Sequence, residues 1–303
     1  LTLIMIKVKP SNINSLIINK VKSGKLNANV DLYFDDNLEI KNLIARGSVE
    51  EMNMNLIQNL PFNDTSFNFF FDTSDIIIKN IKTKINGVLL RDGNLYLTRG
   101  NEITLKSEFS TDININKGNM NDYFSLLKQI NLKNDLVKLN ANLDHILNIK
   151  LDKTLKVLDY KYSNRGVIEN FSYNLNLQKN EFFNEDIKVI ELNDSNIDIK
   201  YNYDKKYTVN TLGKYKLNNG NFQSFELSNT SSNGANNLNI SFETDQALNI
   251  DLINFKKHKN DIAKITSEII IKNNVFDFKN IKLREKKNLI IIENFKINKK
   301  KLV

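Results

Sequence analysis

Apolar and polar residues alternate with a period of two along much of this chain. The clearest runs have these apolar members: Leu26, Ala28, Val30, Leu32 and Phe34; Phe67, Phe69 and Phe71; Ile103, Leu105 and Phe109; Phe171, Tyr173, Leu175 and Leu177. Because strand side chains point to opposite faces in turn, each run predicts a β-strand with one apolar and one polar face. Such strands are typical of an antiparallel sheet that is wetted on one side.

A short phrase recurs five times: an apolar residue, Lys or Glu, Asn, and a second apolar residue. Its copies are Ile40-Lys41-Asn42-Leu43, Ile78-Lys79-Asn80-Ile81, Ile168-Glu169-Asn170-Phe171, Phe278-Lys279-Asn280-Ile281 and Ile292-Glu293-Asn294-Phe295. At most copies the alternation after the phrase is out of phase by one residue with the alternation before it. An apolar spacing of three implies an extra residue in the strand, which is a β-bulge. The phrase therefore predicts places where a long strand bends.

Turn residues separate the alternating runs at short intervals. The predicted turns include Ser23-Gly24, Asp35-Asp36-Asn37, Asn63-Asp64, Asn86-Gly87, Asp92-Gly93, Arg99-Gly100-Asn101, Asn164-Arg165-Gly166 and Asp204-Lys205-Lys206. Asn-Gly and Asp-Gly suit hairpin turns, so consecutive strands are expected to be antiparallel neighbours. We therefore predict a mainly β fold, a long antiparallel meander that forms a curled, twisted sheet: a repeating β-groove or open, taco-like sheet. A closed sandwich of two sheets would show the same alternation.

Two segments break the alternation and predict short helices. Pro10-Ser11 can begin the first, which ends at Gly24 and has an apolar stripe formed by Ile13, Leu16, Ile17 and Val21. Asn119 can cap the second, whose apolar face comprises Tyr123, Phe124, Leu127 and Ile130. Each predicted helix precedes a series of strands. We therefore expect two β-groove units, residues 1–118 and residues 119–303, each beginning with a helix.

Composition limits the partners that the chain can have. The formal net charge is +8, but 38 of the 43 basic residues are Lys and most of them stand singly on polar sides of strands. Arg is the residue best suited to bidentate phosphate or guanine contacts, and it is scarce here. We therefore predict no nucleic-acid partner and interpret the lysines as a solvated face that protects sheet edges.

The sequence contains no recognisable constellation of catalytic residues. There is no Cys, the two histidines are His145 and His258, and ten glycines form no phosphate loop, nucleophile elbow or dinucleotide motif. The adjacent carboxylates Asp35-Asp36, Glu50-Glu51 and Glu185-Asp186 lie at predicted turns or strand edges. We therefore predict that the protein is not an enzyme and that it has no cofactor and no metal site.

Several stretches resemble the AsmA-like envelope proteins, the group that includes TamB and YhdP, as found in alphaproteobacteria with A/T-rich genomes. They are the predicted helix at residues 11–22 followed by Gly24 to Leu32, the phrase at Leu38 to Leu43 with Ala45-Arg46-Gly47, and Asn86-Gly87 before Asp92 to Leu95. The resemblance is best over residues 10–130 and 238–298. The resemblance rests on the general pattern of residues rather than on an invariant motif. It indicates no catalytic residue in this chain. The chain begins at Leu1, and we expect it to be a fragment of a longer protein.

The resemblance implies a non-enzymatic groove protein of the periplasm and cell envelope. An upstream segment would anchor it in the inner membrane, and phospholipid acyl chains would slide along an apolar β-groove toward the outer membrane, with outer-membrane components as further partners. The candidate groove lining comprises Phe67, Phe69, Phe71, Ile76, Ile78, Leu95, Leu97, Ile103, Leu105 and Phe109. The alternative is a structural or adhesive β-solenoid or β-sandwich protein of the envelope that binds no ligand.

Overall fold

The structure is a computed structural model that describes residues 20–55, 61–123, 135–179, 185–232 and 234–298. Its strands, in chain order, are β1 (Val21–Phe34), β2 (Ile40–Asn55), β3 (Pro61–Phe71), β4 (Asp75–Ile85), β5 (Val88–Arg99), β6 (Ile103–Ile115), β7 (Leu136–Leu151), β8 (Val157–Leu177), β9 (Ile187–Asn202), β10 (Tyr207–Leu217), β11 (Gln223–Ser232), β12 (Ala235–Thr244), β13 (Leu248–Ile250), β14 (Phe255–Lys257), β15 (Ala263–Lys272), β16 (Val275–Glu285) and β17 (Asn288–Asn298). Two 3-10 turns, Met120–Tyr123 and Asp251–Ile253, complete the described elements.

Fifteen strands form one antiparallel sheet in which each strand pairs with its neighbours in sequence. The short hairpin β13–β14 is a separate two-stranded sheet, so that β12 pairs directly with β15. The sheet is not closed, and β1 and β17 are its two edges. The predicted fold class, a mainly β antiparallel meander that forms an open, curled sheet, is confirmed.

The pairing register places the alternating apolar residues on a single face. Phe71 pairs with Ile76, Ile76 with Leu97, and Leu97 with Leu105. Directly paired residues of an antiparallel sheet project to the same side, so this row extends the same apolar surface from strand to strand. We call this side the apolar face and the opposite side, which carries most of the charged residues, the polar face.

Every copy of the recurrent phrase lies at an irregularity of the ladder, as its spacing predicts. The residues that are skipped in the register or that adopt a left-handed backbone are Lys41, Asn80, Glu169, Lys279 and Asn294. Left-handed residues also interrupt the strands on either side: Asp64 in β3 and Asp92 in β5, which pair with β4, and Glu51 in β2, which pairs with β3. A bulge bends its strand, so this line of bulges across β2 to β5 forms a crease in the sheet.

Glycines on the apolar face show how sharply the sheet bends toward that side. A Cβ at Gly166 would lie 2.0 Å from the Asn142 carbonyl oxygen, and a Cβ at Gly47 would lie 2.0 Å from the Asn27 carbonyl oxygen. Gly166 shares a row with Leu143 and Ile197, so its missing side chain belongs to the apolar face. Only glycine lets neighbouring strands approach so closely at these positions.

The apolar face is largely uncovered. Each described strand of the large sheet makes its extensive contacts with its neighbours in that sheet, so no second large sheet packs on the apolar face. Among the described residues the buried apolar side chains are few; half of them form two small clusters, and the others are scattered along the sheet rather than gathered in one central core. The fifteen-stranded sheet therefore does not form the closed two-sheet sandwich that the alternation alone left open.

The two ends of the strands differ in how they are connected. At one end, which we call the turn end, the connections are tight, as at residues 35–39, 72–74, 152–156 and 203–206. At the other, the capped end, the described residues 116–123 and the connection 245–262 pack on the apolar face. Tyr123 packs with Ile115 and Leu136, and Leu248 packs with Ala263 and Leu283.

Several predicted turns lie inside strands instead. Ser23-Gly24 belongs to β1, Asn63-Asp64 to β3, Asp92-Gly93 to β5 and Asn164-Arg165-Gly166 to β8. The left-handed residues Asp64 and Asp92 serve bulges, and Gly166 serves a close approach of strands. The same residue types that make turns therefore shape the sheet here.

The two predicted helices are described only in part. Most of the first lies outside the described residues, and at its end Lys20 is helical, whereas Val21, Lys22 and Gly24 already belong to β1. The second is a 3-10 turn as far as Tyr123, and Phe124, Leu127 and Ile130 lie outside the described residues. The division into units 1–118 and 119–303 stays a prediction; the boundary falls between β6 and β7, which pair with each other along Ile103–Ile115.

Candidate functional site: the apolar face

All ten predicted lining residues lie on the apolar face, within β3 to β6. Phe69 pairs with Ile78 and Ile78 with Leu95, which places a second apolar row beside the row of Phe71, Ile76, Leu97 and Leu105. Phe67, Ile103 and Phe109 follow on the same face by alternation. Each of the ten side chains is half-buried. The structure thus brings these residues together on one surface that other parts of the described chain do not cover.

The crease forms the floor of this surface and is polar. Thr65 and Thr83 are each 1% exposed, their hydroxyl oxygens lie 2.7 Å apart, and Thr83 Oγ1 donates to the Asn63 carbonyl oxygen at 3.2 Å. A similar bulge in β9, outside the crease, has the same arrangement: Ser195 Oγ donates to the Asn193 carbonyl oxygen at 3.2 Å. Both carbonyl groups flank a bulge, where the strand ladder is interrupted. These hydroxyls therefore satisfy backbone groups that the bulges leave unpaired.

His145 occupies the apolar face in β7, where it pairs with Phe109 of β6 and Asn164 of β8. Its ring stacks on Phe109 with centroids 4.5 Å apart; Nε2 lies 2.8 Å from Thr111 Oγ1, and Nδ1 lies 2.7 Å from the Tyr162 hydroxyl and 2.9 Å from Asn164 Nδ2. Burial lowers the pKa of His145, and the Asp144 carboxylate only partly offsets this. The imidazole is therefore neutral at pH 7 and fits an apolar surface.

Tyrosines follow His145 toward the turn end. Tyr162 pairs with Tyr201, and Tyr201 with Tyr207; the rings of Tyr160 and Tyr201 stack at 5.9 Å. Tyr203 meets Tyr160 edge to face at 5.7 Å. We call these five residues the tyrosine row. Tyrosine combines a large apolar ring with a polar tip and is suited to boundaries between apolar and wet surroundings.

Charged residues are concentrated on the polar face. Arg91 binds Asp112 and Arg165 binds Asp198, each across neighbouring strands with N–O distances of 2.9 Å. Such exposed pairs contribute little to stability, but they balance charge locally. In the described ranges no three His, Asp or Glu side chains are grouped to hold a metal ion. The described helical segments include none long and apolar enough to cross a membrane.

Sequence reasoning missed three parts of this surface. It treated His145 as an isolated histidine, although its place between Leu143 and Leu147 in the alternation marks it as an apolar-face residue. It did not distinguish the buried hydroxyl residues of the floor, such as Thr65 and Thr83, from the apolar side chains on the same face. It also gave no sign that Lys257 would be buried at the capped end, where its Nζ donates to the Gln246 carbonyl oxygen and burial lowers its pKa.

Comparisons of the chain with protein-family models, with curated proteins and with solved structures found no match. The apolar face is thus the surface of this protein that bears most directly on its function.

Proposed function

We propose that the apolar face binds phospholipid acyl chains and that the protein conducts lipid along its sheet without catalysing a reaction. The observation that carries this proposal is the continuous apolar surface that extends from strand to strand and stays largely uncovered. With strands about 4.8 Å apart, fifteen strands span roughly 65–70 Å. An uncovered apolar face of this length has a far larger area than the exposed apolar patches of ordinary soluble domains.

The chemistry of the surface suits acyl chains in particular. The side chains beside the floor are aliphatic or phenyl groups such as Phe69, Ile78 and Leu97. They bind an acyl chain by burying apolar area, which gains about 25 cal/mol per Å², and they form no directional bonds with it. Such contacts are equivalent along the row, so a chain can slide without breaking specific bonds. The floor hydroxyls of Thr65 and Thr83 bond to each other and to backbone, so they leave no strong polar trap.

The proposal extends to location through the resemblance noted in the sequence. We place the protein in the periplasm, anchored in the inner membrane by an upstream segment, with phospholipid passing toward the outer membrane as part of outer-membrane biogenesis. What supports this is the agreement between an open antiparallel sheet with one apolar face and the architecture that the resemblance implies.

Site-specific photo-crosslinking in cells tests the proposal. Crosslinkers at Phe69 and Leu97 should capture phospholipid, whereas crosslinkers at Asn68 and Tyr96, their neighbours on the polar face, should not. The four positions lie on the same two strands, so they are matched for position in the sheet, and the polar-face positions are the more exposed ones. Capture at the polar positions alone, or no lipid at any position, would favour the alternative of a structural envelope protein without ligand.

A further inference from the structure

Two neighbouring hairpins at the turn end carry a surface unlike the rest of that end. They comprise residues 150–162 of β7 and β8 and residues 200–207 of β9 and β10. Their charged residues are Lys150, Lys153, Lys156, Lys161, Lys200, Lys205 and Lys206 against Asp152, Asp159 and Asp204, a local net charge of +4. All seven lysines are exposed. In the connecting residues alone, 152–156 and 203–206 hold Lys153, Lys156, Lys205 and Lys206 against Asp152 and Asp204, whereas 35–39, 72–74 and 100–102 hold Asp35, Asp36, Glu39, Asp72 and Glu102 and no lysine.

Exposed apolar side chains stand among these lysines. Leu155 is 39% exposed, Leu158 41% and Tyr203 49%, and Val157 is similar. The Tyr203 amide donates to the Tyr160 carbonyl oxygen at 3.0 Å, which joins the two hairpins into one surface. We call this surface, residues 150–162 and 200–207, the basic rim.

Leu155 is held in its exposed position by the turn itself. Asp152 Oδ1 accepts hydrogen bonds from the Thr154 amide at 2.8 Å and the Lys156 amide at 3.0 Å. Leu155 adopts φ of 68°, a left-handed conformation that is unfavourable for leucine. Glycine or asparagine would fit this position with less strain. Its apolar side chain is therefore available to a partner.

The turn at residues 35–39 supplies a natural control. Asp35 Oδ1 accepts from the Asn37 and Glu39 amides, and Leu38 adopts φ of 62° and is 82% exposed. The backbone conformation and the residue type are thus alike in the two turns, and Leu38 is the more exposed of the two leucines. The charge is opposite, because Asp35, Asp36 and Glu39 surround Leu38.

We propose that the basic rim docks on the surface of an anionic lipid bilayer. Leu155, Val157 and Leu158 enter the interfacial region, the lysines meet the anionic headgroups, and the tyrosine row lies at the boundary. Lysines near such a surface and a few interfacial apolar residues together give reversible membrane binding. Charge complementarity selects this partner over a second copy of the chain, since two basic rims repel each other. The inference does not require the apolar face to bind acyl chains, although the tyrosine row would connect the bilayer to that face.

Vesicle sedimentation with the full chain tests the docking. The protein should bind vesicles of equimolar phosphatidylcholine and phosphatidylglycerol, bind pure phosphatidylcholine far more weakly, and dissociate as salt rises. Leu155→Gly should weaken binding roughly ten-fold. Lys153→Glu combined with Lys156→Glu should weaken it by at least about thirty-fold. Leu38→Gly should leave binding unchanged.

These variants separate docking from folding. Glycine relieves the left-handed strain at either position, so neither Leu155→Gly nor Leu38→Gly should lower the melting temperature. Because the chain has no Trp, Leu155→Trp adds a single fluorophore whose emission should shift to the blue with anionic vesicles, whereas that of Leu38→Trp should not.

Three results would overturn the docking proposal: no binding of the wild-type chain to the anionic vesicles, equal loss with Leu155→Gly and Leu38→Gly, or a change in self-association in place of vesicle binding. Lipid capture at Phe69 without vesicle binding would refute the docking alone. Vesicle binding without capture at Phe69 would refute only the groove function.

Discussion

The hydroxyl oxygens of Thr65 and Thr83 lie 2.7 Å apart on neighbouring strands, almost fully buried at the floor of an otherwise apolar surface. Thr83 also donates to the Asn63 carbonyl oxygen, beside the left-handed residue Asp64. The pair therefore supplies at the bulge the hydrogen bonds that a regular ladder would have supplied. Its role is to keep the strand bent.

Thr83→Val tests this role. The substitution keeps the shape of the side chain but leaves the Asn63 carbonyl and the Thr65 hydroxyl without their partner in a buried place. We expect the free energy of unfolding to fall by about 1–3 kcal/mol. Urea denaturation measures the change. Thr104→Val, at an exposed strand position, should change it by less than about 0.5 kcal/mol, and equal effects at the two sites would contradict the floor role.

Gly166→Ala should be strongly destabilising. The new Cβ would lie 2.0 Å from the Asn142 carbonyl oxygen and 2.8 Å from the Leu143 Cα, both backbone atoms. The strands must then separate, and we expect a loss on the order of 3 kcal/mol or more. Thermal unfolding followed by circular dichroism measures it. Gly100→Ala serves as the control, since its Cβ would meet nothing closer than 3.6 Å. A harmless Gly166→Ala would refute the tight curl at this point.

Deleting Asn294 tests the meaning of the recurrent phrase. Without the bulge residue, Phe295 and Ile297 exchange faces with Lys296, because side-chain direction alternates along a strand. Phe295 is 48% exposed and Ile297 is half-buried, so we expect the deletion to lower the unfolding free energy by about 1–2 kcal/mol through lost apolar burial. Asn294→Gly keeps the extra residue and accepts its φ of 56°, so it should be neutral or slightly stabilising. If both variants behaved alike in urea denaturation, the phrase would have no architectural role.

Acidification should weaken the fold through His145. Burial lowers its pKa in the folded state below the ordinary value of 6.5, so the unfolded chain takes up the proton first as pH falls. The contribution of the neutral imidazole is therefore complete above about pH 6.5 and declines below it, toward the folded-state pKa. His145→Gln should flatten this dependence in unfolding experiments between about pH 8 and pH 5. An unchanged slope would show that His145 does not titrate as described.

The alternation of residues predicts most of the fold. Its phase identifies the apolar side of nearly every strand, and the spacing of three in the recurrent phrase predicts the bulges, because both depend on the local geometry of one strand. The ten lining residues fall on one face for the same reason. Whether Phe69 and Leu97 bind lipid is a question of what occupies the face, and alternation carries no information about that.

The errors of sequence reasoning have a common physical cause. Asp92-Gly93 and Asn164-Arg165-Gly166 combine residues that favour left-handed or crowded backbone, and these conformations occur both in turns and in bent strands. The neighbours that decide between the two, such as Asn142 beside Gly166, are distant in sequence. The His145 contacts with Thr111 and Asn164 likewise depend on register, which a single strand does not determine.

The lipid content of the purified protein tests the central claim most directly. The wild-type chain, extracted from bacterial membranes in mild detergent and analysed by mass spectrometry, should carry bound phospholipid. Phe69→Asp combined with Leu97→Asp should lose that lipid while its strand signal in circular dichroism persists. Asn68→Asp combined with Tyr96→Asp, on the polar face of the same strands, should retain it. Absence of phospholipid from the wild type, or equal retention in both double variants, would contradict the account.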